Sequence, residues 1–365
     1  MIISANRLKK IWYYLKKGRI NVFLNVFRLT LSNRLNDKYK IRVKKIEKKP
    51  LIFHLFNSES ISMNGSMPMS NSHSNAISIS HLNSNSNSNT NSASNSNAAN
   101  LPENILVSII IPVYNQWDYT YMCLKSILEN TEGISYEVII ADDNSSDETV
   151  NIEKYVKNVK LIRNKNNLGF LRNCNNAAKQ ASGKYVLFLN NDTEVQKEWL
   201  KNLLQLMESD DTIGIAGPKF IYPDGVLLEA GCIMWKDGES WQFGMFDDPD
   251  RPEYNYARET DFISGACIMS KKELFYEIGG FDERYAPAYY EDADLAFEVS
   301  KKGYKIVYQP SSVVIHYENI TYQKYKPANT NGQNNKEKFM QKWKQKLENE
   351  HYEHMTNIQS AKDKR

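Results

Sequence analysis

The sequence predicts an α/β domain over residues 104–320, with a mostly parallel central sheet flanked by helices. Short apolar runs rich in β-branched residues recur along this region, and amphipathic helical patterns separate them. Uninterrupted apolar runs of this length are typical of strands buried on both faces, as in parallel sheets joined by crossover helices. The strand runs are 105–111, 136–141, 159–162 and 185–189, and the helical patterns are 117–130, 147–157, 170–181, 194–209, 271–278 and 291–302.

Residues 1–56 form a basic amphipathic segment. Residues 1–50 hold fifteen Lys and Arg against two acids, a local charge of +13, whereas the whole chain carries +3. Two interpretations stay open: residues 1–50 lie on an anionic membrane surface, or they dock on the α/β domain. The small net charge of the chain argues against a nucleic-acid partner. The apolar residues at helical spacing are Leu8, Ile11, Trp12, Leu15, Phe23, Leu24, Phe27 and Leu31.

Two further segments flank the α/β domain. Residues 57–103 consist largely of Asn/Ser repeats, and so little apolar material cannot offset the chain entropy lost on folding. This stretch is predicted to be a disordered linker. Residues 321–365 are predicted to be a loop and an amphipathic helix at 335–349, where Phe339, Trp343 and Leu347 recur every four residues.

The expected location is the cytoplasm, or the inner face of the plasma membrane if the basic segment binds lipid. The four cysteines are far apart in the sequence, which does not suggest a disulfide framework. The N-terminus lacks the pattern of a secretory signal. Its most apolar stretch, 20–31, is too short and too polar to predict a membrane span.

Polar residues follow the first two strand runs. Ligands of open α/β sheets bind beyond the carboxyl ends of the strands. Pro112, Val113 and Tyr114 follow the first run, and Asp142 and Asp143 follow the second. A carboxylate at such a position can accept hydrogen bonds from a ribose hydroxyl or a base N–H. The acids of 143–147 also fit helix capping, which is the preferred interpretation of residue 147, whereas ligand binding is preferred for Asp142.

The fourth run ends in Asn190-Asn191-Asp192, which predicts a cation site. An acid there can hold a hard cation that bridges two phosphates, since oxygen ligands suit Mg²⁺ and Mn²⁺. Further along, Glu291 and Asp292 place two carboxylates beside tyrosines at a helix start, which suits a sugar site with a general base. A strand predicted at 312–315 is followed by His316, which is a candidate metal ligand, although a lone histidine is more often structural.

Taken together and in order, these motifs resemble family 2 glycosyltransferases of the GT-A fold, the nucleotide-diphospho-sugar transferase fold. The resemblance covers about 104–320. Within it, the APAYYEDADLAF stretch and the histidine that follows are similar to those of the bacterial branch that builds O-antigen, capsule and related surface polysaccharides. The motifs are VSIIIPVYN, ADDNSSDET, NLGFLRNCN, LFLNNDT, ISGACIMSKKELF, GGFDERYAPAYYEDADLAF and GYKIVYQPSSVVIHYE.

The resemblance implies a role for each motif. Asp292 would be the catalytic base of an inverting transfer from a nucleoside-diphosphate-sugar donor to a glycan or polyprenyl-linked acceptor. A divalent metal, Mn²⁺ or Mg²⁺, would be held by Asp192 and His316. The donor would be bound by Pro112, Val113, Tyr114, Asp142, Asp143, Asn167, Gly169, Arg172 and Asn191. The acceptor would be bound by Glu291, Trp235, Trp241 and Tyr290, with Tyr289 as a further stacking surface.

One departure and two alternatives qualify this interpretation. Many relatives have Asp-x-Asp at the strand end, whereas this chain has Asn190-Asn191-Asp192 and one carboxylate fewer for a metal. The rival enzyme is a sugar nucleotidyltransferase, but the first strand end lacks the Gly/Arg/Lys-rich phosphate loop that it would need. The non-enzymatic alternative is a carbohydrate-binding or scaffold protein on the same fold, against which intact Asp292, Asp192 and His316 argue.

Overall fold

The computed structural model describes residues 12–22, 24–25, 43, 46–53, 105–318 and 328–363. The predicted linker at 57–103, much of the basic segment and residues 319–327 lie outside these residues.

The described chain is built on one mixed, mostly parallel sheet. The described strands are β1 Leu51–Ile52, β2 Val107–Val113, β3 Tyr136–Asp142, β4 Val156–Lys157, β5 Lys160–Arg163, β6 Tyr185–Leu189, β7 Thr193–Val195, β8 Ile213–Ile221, β9 Leu227–Glu229, β10 Cys232–Met234, β11 Ser240–Gln242, β12 Arg258–Glu259, β13 Cys267–Lys271 and β14 Lys305–His316. The order in the sheet is β12-β14-β8-β13-β6-β2-β3-β5, with β7 beside β14 and β9 beside β8. The pairs β2–β3, β2–β6, β3–β5 and β8–β14 are parallel, whereas β13 is antiparallel to both neighbours.

Helices flank this sheet, which confirms the predicted α/β class. Every residue of β2 and β6 is buried, because crossover helices cover both faces of the sheet. The helices are α1 Trp117–Asn130, α2 Ile152–Tyr155, α3 Phe170–Ala178, α4 Trp199–Ser209, α5 Lys272–Glu277, α6 Glu291–Lys301, α7 Ala328–Lys342, α8 Lys344–Glu350 and α9 Ile358–Lys362.

Two predicted helices are partly strands. The pattern at 147–157 becomes a 3₁₀ turn at Glu148–Asn151, the short α2 and then β4, which pairs in parallel with β1. The pattern at 194–209 begins as β7, which pairs with the end of β14, and only then becomes α4. In both cases a partner strand distant in sequence takes up the backbone hydrogen bonds, which a local pattern cannot reveal.

The N-terminal segment docks on the domain where the structure describes it. Tyr14 is buried, and its hydroxyl accepts a hydrogen bond from the Gly244 amide at 3.1 Å. The Arg19 guanidinium lies 2.5 Å from a carboxylate oxygen of Asp247 and 2.5 Å from one of Glu253. The structure therefore supports the docking interpretation for these residues. Among the described helices, none combines the length and apolar character needed to cross a membrane.

The C-terminal helices pack where the amphipathic pattern predicts. Phe339 of α7 is fully buried, with its ring centroid 5.3 Å from that of Tyr290 and 5.0 Å from that of Phe297. The predicted single helix at 335–349 is two helices that meet at Trp343, and α7 begins seven residues earlier than predicted. This packing places α7 against the loop that leads into α6.

Candidate active site

A cavity of about 690 Å³ opens at the carboxyl ends of β2 and β6. Its remaining walls come from the start of α3, the β10–β11 hairpin, the turn at 264–266 and the loop before α6. This is the edge of an α/β sheet at which ligands bind. The candidate residues that line it are Pro112, Val113, Tyr114, Asp143, Asn167, Gly169, Asn191, Asp192, Tyr289, Tyr290, Glu291, Asp292 and His316.

Asp143 organises the turn at 164–169 on one side of the cavity. One oxygen accepts hydrogen bonds from the Leu168 amide at 2.8 Å and the Asn164 side chain at 2.9 Å, and the other accepts from the Gly169 amide at 2.9 Å. Gly169 has φ of 80°, and a Cβ there would lie 2.9 Å from the Pro287 Cβ. The turn can therefore approach the loop before α6 only because this residue is glycine.

Two of the predicted donor ligands lie outside the cavity. Asp142 is fully buried; its carboxylate accepts a hydrogen bond from the Ser145 amide at 2.9 Å and lies 2.9 Å from the Arg163 Nε. Arg172 is on α3, but its exposed side chain forms an ion pair with Glu283 at 3.0 Å. Neither side chain lines the cavity, and each is engaged by a neighbouring residue of the protein.

Asp192 and His316 meet at the cavity wall. The His316 Nε2 lies 3.3 Å from the Asp192 Oδ1, and both side chains are almost completely buried. The contact forms because β7, directly after Asp192, pairs with the end of β14. Burial disfavours the charged imidazole, but the neighbouring Asp192 carboxylate outweighs it and raises the pKa of His316.

This pair fits a divalent cation held partly by substrate. A carboxylate oxygen and an imidazole nitrogen are both ligands of first-row divalent ions. Within the described residues there is no group of three His, Cys, Asp or Glu side chains placed to hold a metal. Asp192 and His316 thus leave most coordination positions for phosphate oxygens and water, as is usual for Mg²⁺ sites with bound phosphates.

Glu291 and Asp292 lie at the start of α6, inside the cavity. Asp292 accepts hydrogen bonds from the Gly265 amide at 3.0 Å and the Ala293 amide at 2.8 Å. Burial raises the pKa of the Asp292 carboxyl above its usual value. Burial and the charge of Asp292 raise the pKa of Glu291 further still. A carboxylate held by backbone donors, with a raised pKa and access to a cavity, has the properties of a general base.

The loop before this helix is held in an uncommon conformation by α7. Tyr289 and Tyr290 have φ of 79° and 72°, which is unfavourable for residues with a Cβ. The buried Asn335 side-chain amide lies within hydrogen-bonding distance of three loop carbonyls, those of Tyr285 at 2.7 Å, Ala288 at 3.0 Å and Tyr289 at 3.1 Å. The C-terminal helix therefore positions the residues that lead into Asp292.

The two tryptophans expected to stack on the acceptor do not reach the cavity. Trp235 and Trp241 are both fully buried, and the Trp241 ring packs 5.4 Å from that of Tyr13 in the N-terminal segment. Side chains alternate along a strand, so Ser240 and Gln242 face the cavity while Trp241 faces the core. Neither indole therefore offers a surface to a sugar in this cavity.

Sequence reasoning missed Glu229, Asn331 and Asn335. Glu229 and Asn331 line the cavity, and Asn335 supports its wall. None of the three belongs to a conspicuous motif. Glu229 ends the short β9, and its acidic side chain in an otherwise apolar run (VLLEAG) is the one signal that could have drawn notice.

The mixed central sheet and its edge cavity agree with the GT-A fold that the sequence resemblance implies. The family model described as Glycosyl transferase family 2 matches residues 108–279. Residues 108–279 are therefore similar to family 2 glycosyltransferases.

Individual proteins are similar to parts of the chain. The O-antigen biosynthesis protein RfbC of Myxococcus xanthus is 29% identical over 227 residues, which cover 59% of this chain and 17% of that protein. The N-acetylglucosaminyl-diphospho-decaprenol L-rhamnosyltransferase of Mycobacterium tuberculosis is 28% identical over 236 residues, covering 58% and 76%. A crystal structure of GalNAc-T7 with UDP, GalNAc and Mn²⁺ aligns with 59% of this chain and 44% of that one, at 19% identity and a TM-score of 0.48. The chain thus spans less than a fifth of the M. xanthus relative.

Proposed function

We propose that the protein is an inverting glycosyltransferase that moves a sugar from a nucleoside-diphosphate-sugar to a hydroxyl of a glycan or lipid-linked acceptor during polysaccharide synthesis. The observation that carries the proposal is the shared cavity, which has the Asp192–His316 pair on one wall and the Asp292 carboxylate on another. The match of residues 108–279 to the family 2 glycosyltransferase model supports the reaction class.

The donor side of the cavity is formed by residues at the ends of β2 and β6. Pro112, Val113 and Tyr114 offer a surface for the nucleoside, and the turn that carries Gly169 lines the same cavity. Asp192 and His316 would hold Mn²⁺ or Mg²⁺. When bound, the ion supplies Lewis-acid charge that neutralises the leaving diphosphate.

The transfer itself follows from the position of Asp292. Its carboxylate takes the proton of the acceptor hydroxyl as that oxygen forms a bond to the anomeric carbon. The bond from that carbon to the diphosphate oxygen breaks on the opposite face, and the nucleoside diphosphate leaves with the electron pair, so the configuration inverts. The two hydrogen bonds from backbone amides fix the direction of the carboxylate. General base catalysis of this kind contributes roughly 10²–10⁴-fold.

The acceptor proposal draws on the relatives. The M. tuberculosis relative is named for a lipid-linked N-acetylglucosamine acceptor and a rhamnosyl donor. The proposed acceptor is accordingly a growing glycan, free or on a polyprenyl diphosphate, and the donor sugar is a hexose or a rhamnose. Tyr289 and Tyr290 offer aromatic surface for a sugar ring at the cavity wall.

The outer face of the docked N-terminal segment suits contact with an anionic membrane. Trp12, Ile20 and Leu24 are 58%, 62% and 57% exposed, and Lys16 and Lys17 lie beside them. Each cation near such a surface contributes about 1 kcal/mol of attraction. Replacing the three apolar residues by serine should abolish co-sedimentation with phosphatidylglycerol vesicles and leave the melting temperature unchanged. Retained sedimentation of this variant would contradict the membrane proposal.

The enzymatic proposal is tested with a panel of nucleotide sugars. The purified protein with Mn²⁺ is incubated with UDP-, GDP- and dTDP-sugars, and release of the nucleoside diphosphate is measured with and without octyl glycoside acceptors. We expect one donor to be used well above the others, and faster when acceptor is present. Binding of a nucleotide sugar without any turnover would favour the scaffold alternative instead.

A further inference from the structure

Glu229 is a buried carboxylate in the cavity that the proposed reaction does not yet use. It is the last residue of β9, is 1% exposed and lines the cavity. Its Oε1 accepts a hydrogen bond from the Ser264 amide at 3.2 Å. Its Oε2 has no hydrogen-bond partner among the described residues. The Cys232 thiol, a weak donor, also acts on this carboxyl. A buried carboxylate oxygen without a stronger donor is costly, so its retention beside a cavity points to a donor supplied by a ligand.

The turn that holds Glu229 also holds the base. The Ser264 amide donates to Glu229, and the next amide along the chain, that of Gly265, donates to Asp292 at 3.0 Å. Two consecutive N–H groups thus fix two carboxylates that face one cavity. The backbone sets the spacing of the two N–H groups and so keeps the two carboxylates close together. A molecule that presents a hydroxyl to Asp292 therefore has the Glu229 carboxylate near a neighbouring hydroxyl.

The charge state of Glu229 is set by its surroundings. Burial raises the pKa of its carboxyl to about 7, although hydrogen bonds from the Ser264 amide and the Cys232 thiol lower it. The charge of Asp292 raises this pKa further, and the charge of His316 lowers it. Ionised or protonated, the carboxyl has an oxygen that can accept a hydrogen bond from a sugar hydroxyl.

We propose that Glu229 is a specificity-determining ligand of the acceptor sugar, binding a hydroxyl adjacent to the one from which Asp292 removes the proton. This proposal rests on the proposed glycosyl transfer. The acceptor is favoured over the donor because Glu229 shares its anchoring turn with the base, whereas the Gly169 turn on the donor side is held by Asp143.

The expected size of the effect follows from the chemistry of the contact. Hydrogen bonds to a charged group contribute about 1.5–3 kcal/mol, and each 1.4 kcal/mol corresponds to tenfold. Glu229→Gln and Glu229→Ala should therefore lower kcat/KM for the acceptor by about 10- to 100-fold, mainly through a higher acceptor KM. Hydrolysis of the donor in the absence of acceptor should change by less than about threefold, since that reaction does not use the contact.

The test combines these variants with deoxygenated acceptors. The donor is the nucleotide sugar that the wild type uses best, and the acceptor is the best octyl glycoside together with its monodeoxy analogues. Glu277→Gln, which changes an exposed carboxylate on α5, is the matched control. In the wild type, one particular deoxygenation should cost 10-fold or more in kcat/KM. In Glu229→Ala the same deoxygenation should cost almost nothing, because the contact is already absent.

The outcomes separate the possibilities. If every deoxygenation costs the variants as much as it costs the wild type, Glu229 does not bind an acceptor hydroxyl. A changed donor KM and donor hydrolysis with unchanged acceptor constants would assign Glu229 to the donor and overturn the acceptor proposal. If the Ala variant fails to fold, the nearly isosteric Gln variant supplies the same comparison. A wild type that uses none of the donors contradicts the proposed function itself.

Discussion

Replacing Arg19 by alanine should loosen the N-terminal segment from the catalytic domain. Its guanidinium donates to Asp247 at 2.5 Å, to Glu253 at 2.5 Å and to the Tyr254 hydroxyl at 3.0 Å. The Arg19 side chain is 9% exposed and that of Asp247 is fully buried. The substitution therefore removes the main cation beside a carboxylate that water does not reach.

The magnitude follows from what remains around Asp247. Breaking a buried ion pair from one side costs roughly 3–5 kcal/mol. Asp247 keeps the Arg251 side chain at 3.1 Å, the Tyr254 hydroxyl at 2.9 Å and the Asn21 side chain at 3.2 Å. We therefore expect a loss of about 2–4 kcal/mol, or about 5–12 °C in melting temperature for a domain of this size.

The assay is a thermal melt of the purified variant beside the wild type and Lys17→Ala. Lys17 is exposed on the same segment, so its loss controls for the change in charge. Arg19→Ala with Asp247→Asn should recover part of the lost stability, because no buried charge is then left unpaired. A melting temperature within 1 °C of the wild type for Arg19→Ala would refute the docking of this segment.

Three further predictions concern the cavity. Asp192→Ala and His316→Ala should each weaken Mn²⁺-dependent donor binding by 10-fold or more, and the double variant should lose less than the sum of the two free energies, as titration calorimetry would show. Asn335→Asp should lower the free energy of unfolding by about 2–4 kcal/mol, because it replaces the donor to three buried carbonyls. Turnover and the melting temperature should fall with it, and Asn334→Asp, at an exposed position, is the control. Gly169→Ala should weaken donor binding, since the new Cβ would lie 2.9 Å from a proline carbon and the backbone has φ of 80°.

Each of these predictions has a result that would contradict it. Strict additivity of the two metal-site variants would count against a shared ion. Equal melting temperatures for the Asn335 and Asn334 variants would remove the proposed support of the loop. For the glycine, Gly133→Ala is informative: its φ is 69°, but nothing lies within 4 Å of the added Cβ. If both glycine variants bind donor equally well, the close approach has no functional role.

The sequence predicted much of the site because strand ends converge. Parallel pairing of β2 and β6 brings Asp192, which follows β6, to the same edge of the sheet as Pro112 and Tyr114 at the end of β2. Asp292 lines the same cavity from the start of α6, a hundred residues further along the chain. The contact between Asp192 and His316 depends on one further pairing, that of β7 with β14, which the pattern at 194–209 concealed.

The failures have equally physical causes. Whether Trp241 faces the core or the cavity depends on strand register, and a shift of one residue would reverse it. Docking of Arg19 on Asp247 joins residues separated by 228 positions and has no local signal. Glu229 and Asn335 belong to no conspicuous sequence motif, and the tertiary packing of β9 and α7 buries them.

The central claim, that Asp292 is the base in a nucleotide-sugar transferase site, is tested most directly by Asp292→Asn. The amide has nearly the same shape but accepts no proton, so donor affinity and turnover should separate. Calorimetry with the preferred donor and Mn²⁺ gives Kd, and nucleoside diphosphate release with acceptor gives kcat. We predict a Kd within several-fold of the wild type and a kcat lower by at least 10²-fold, whereas a kcat within threefold of the wild type would contradict the account.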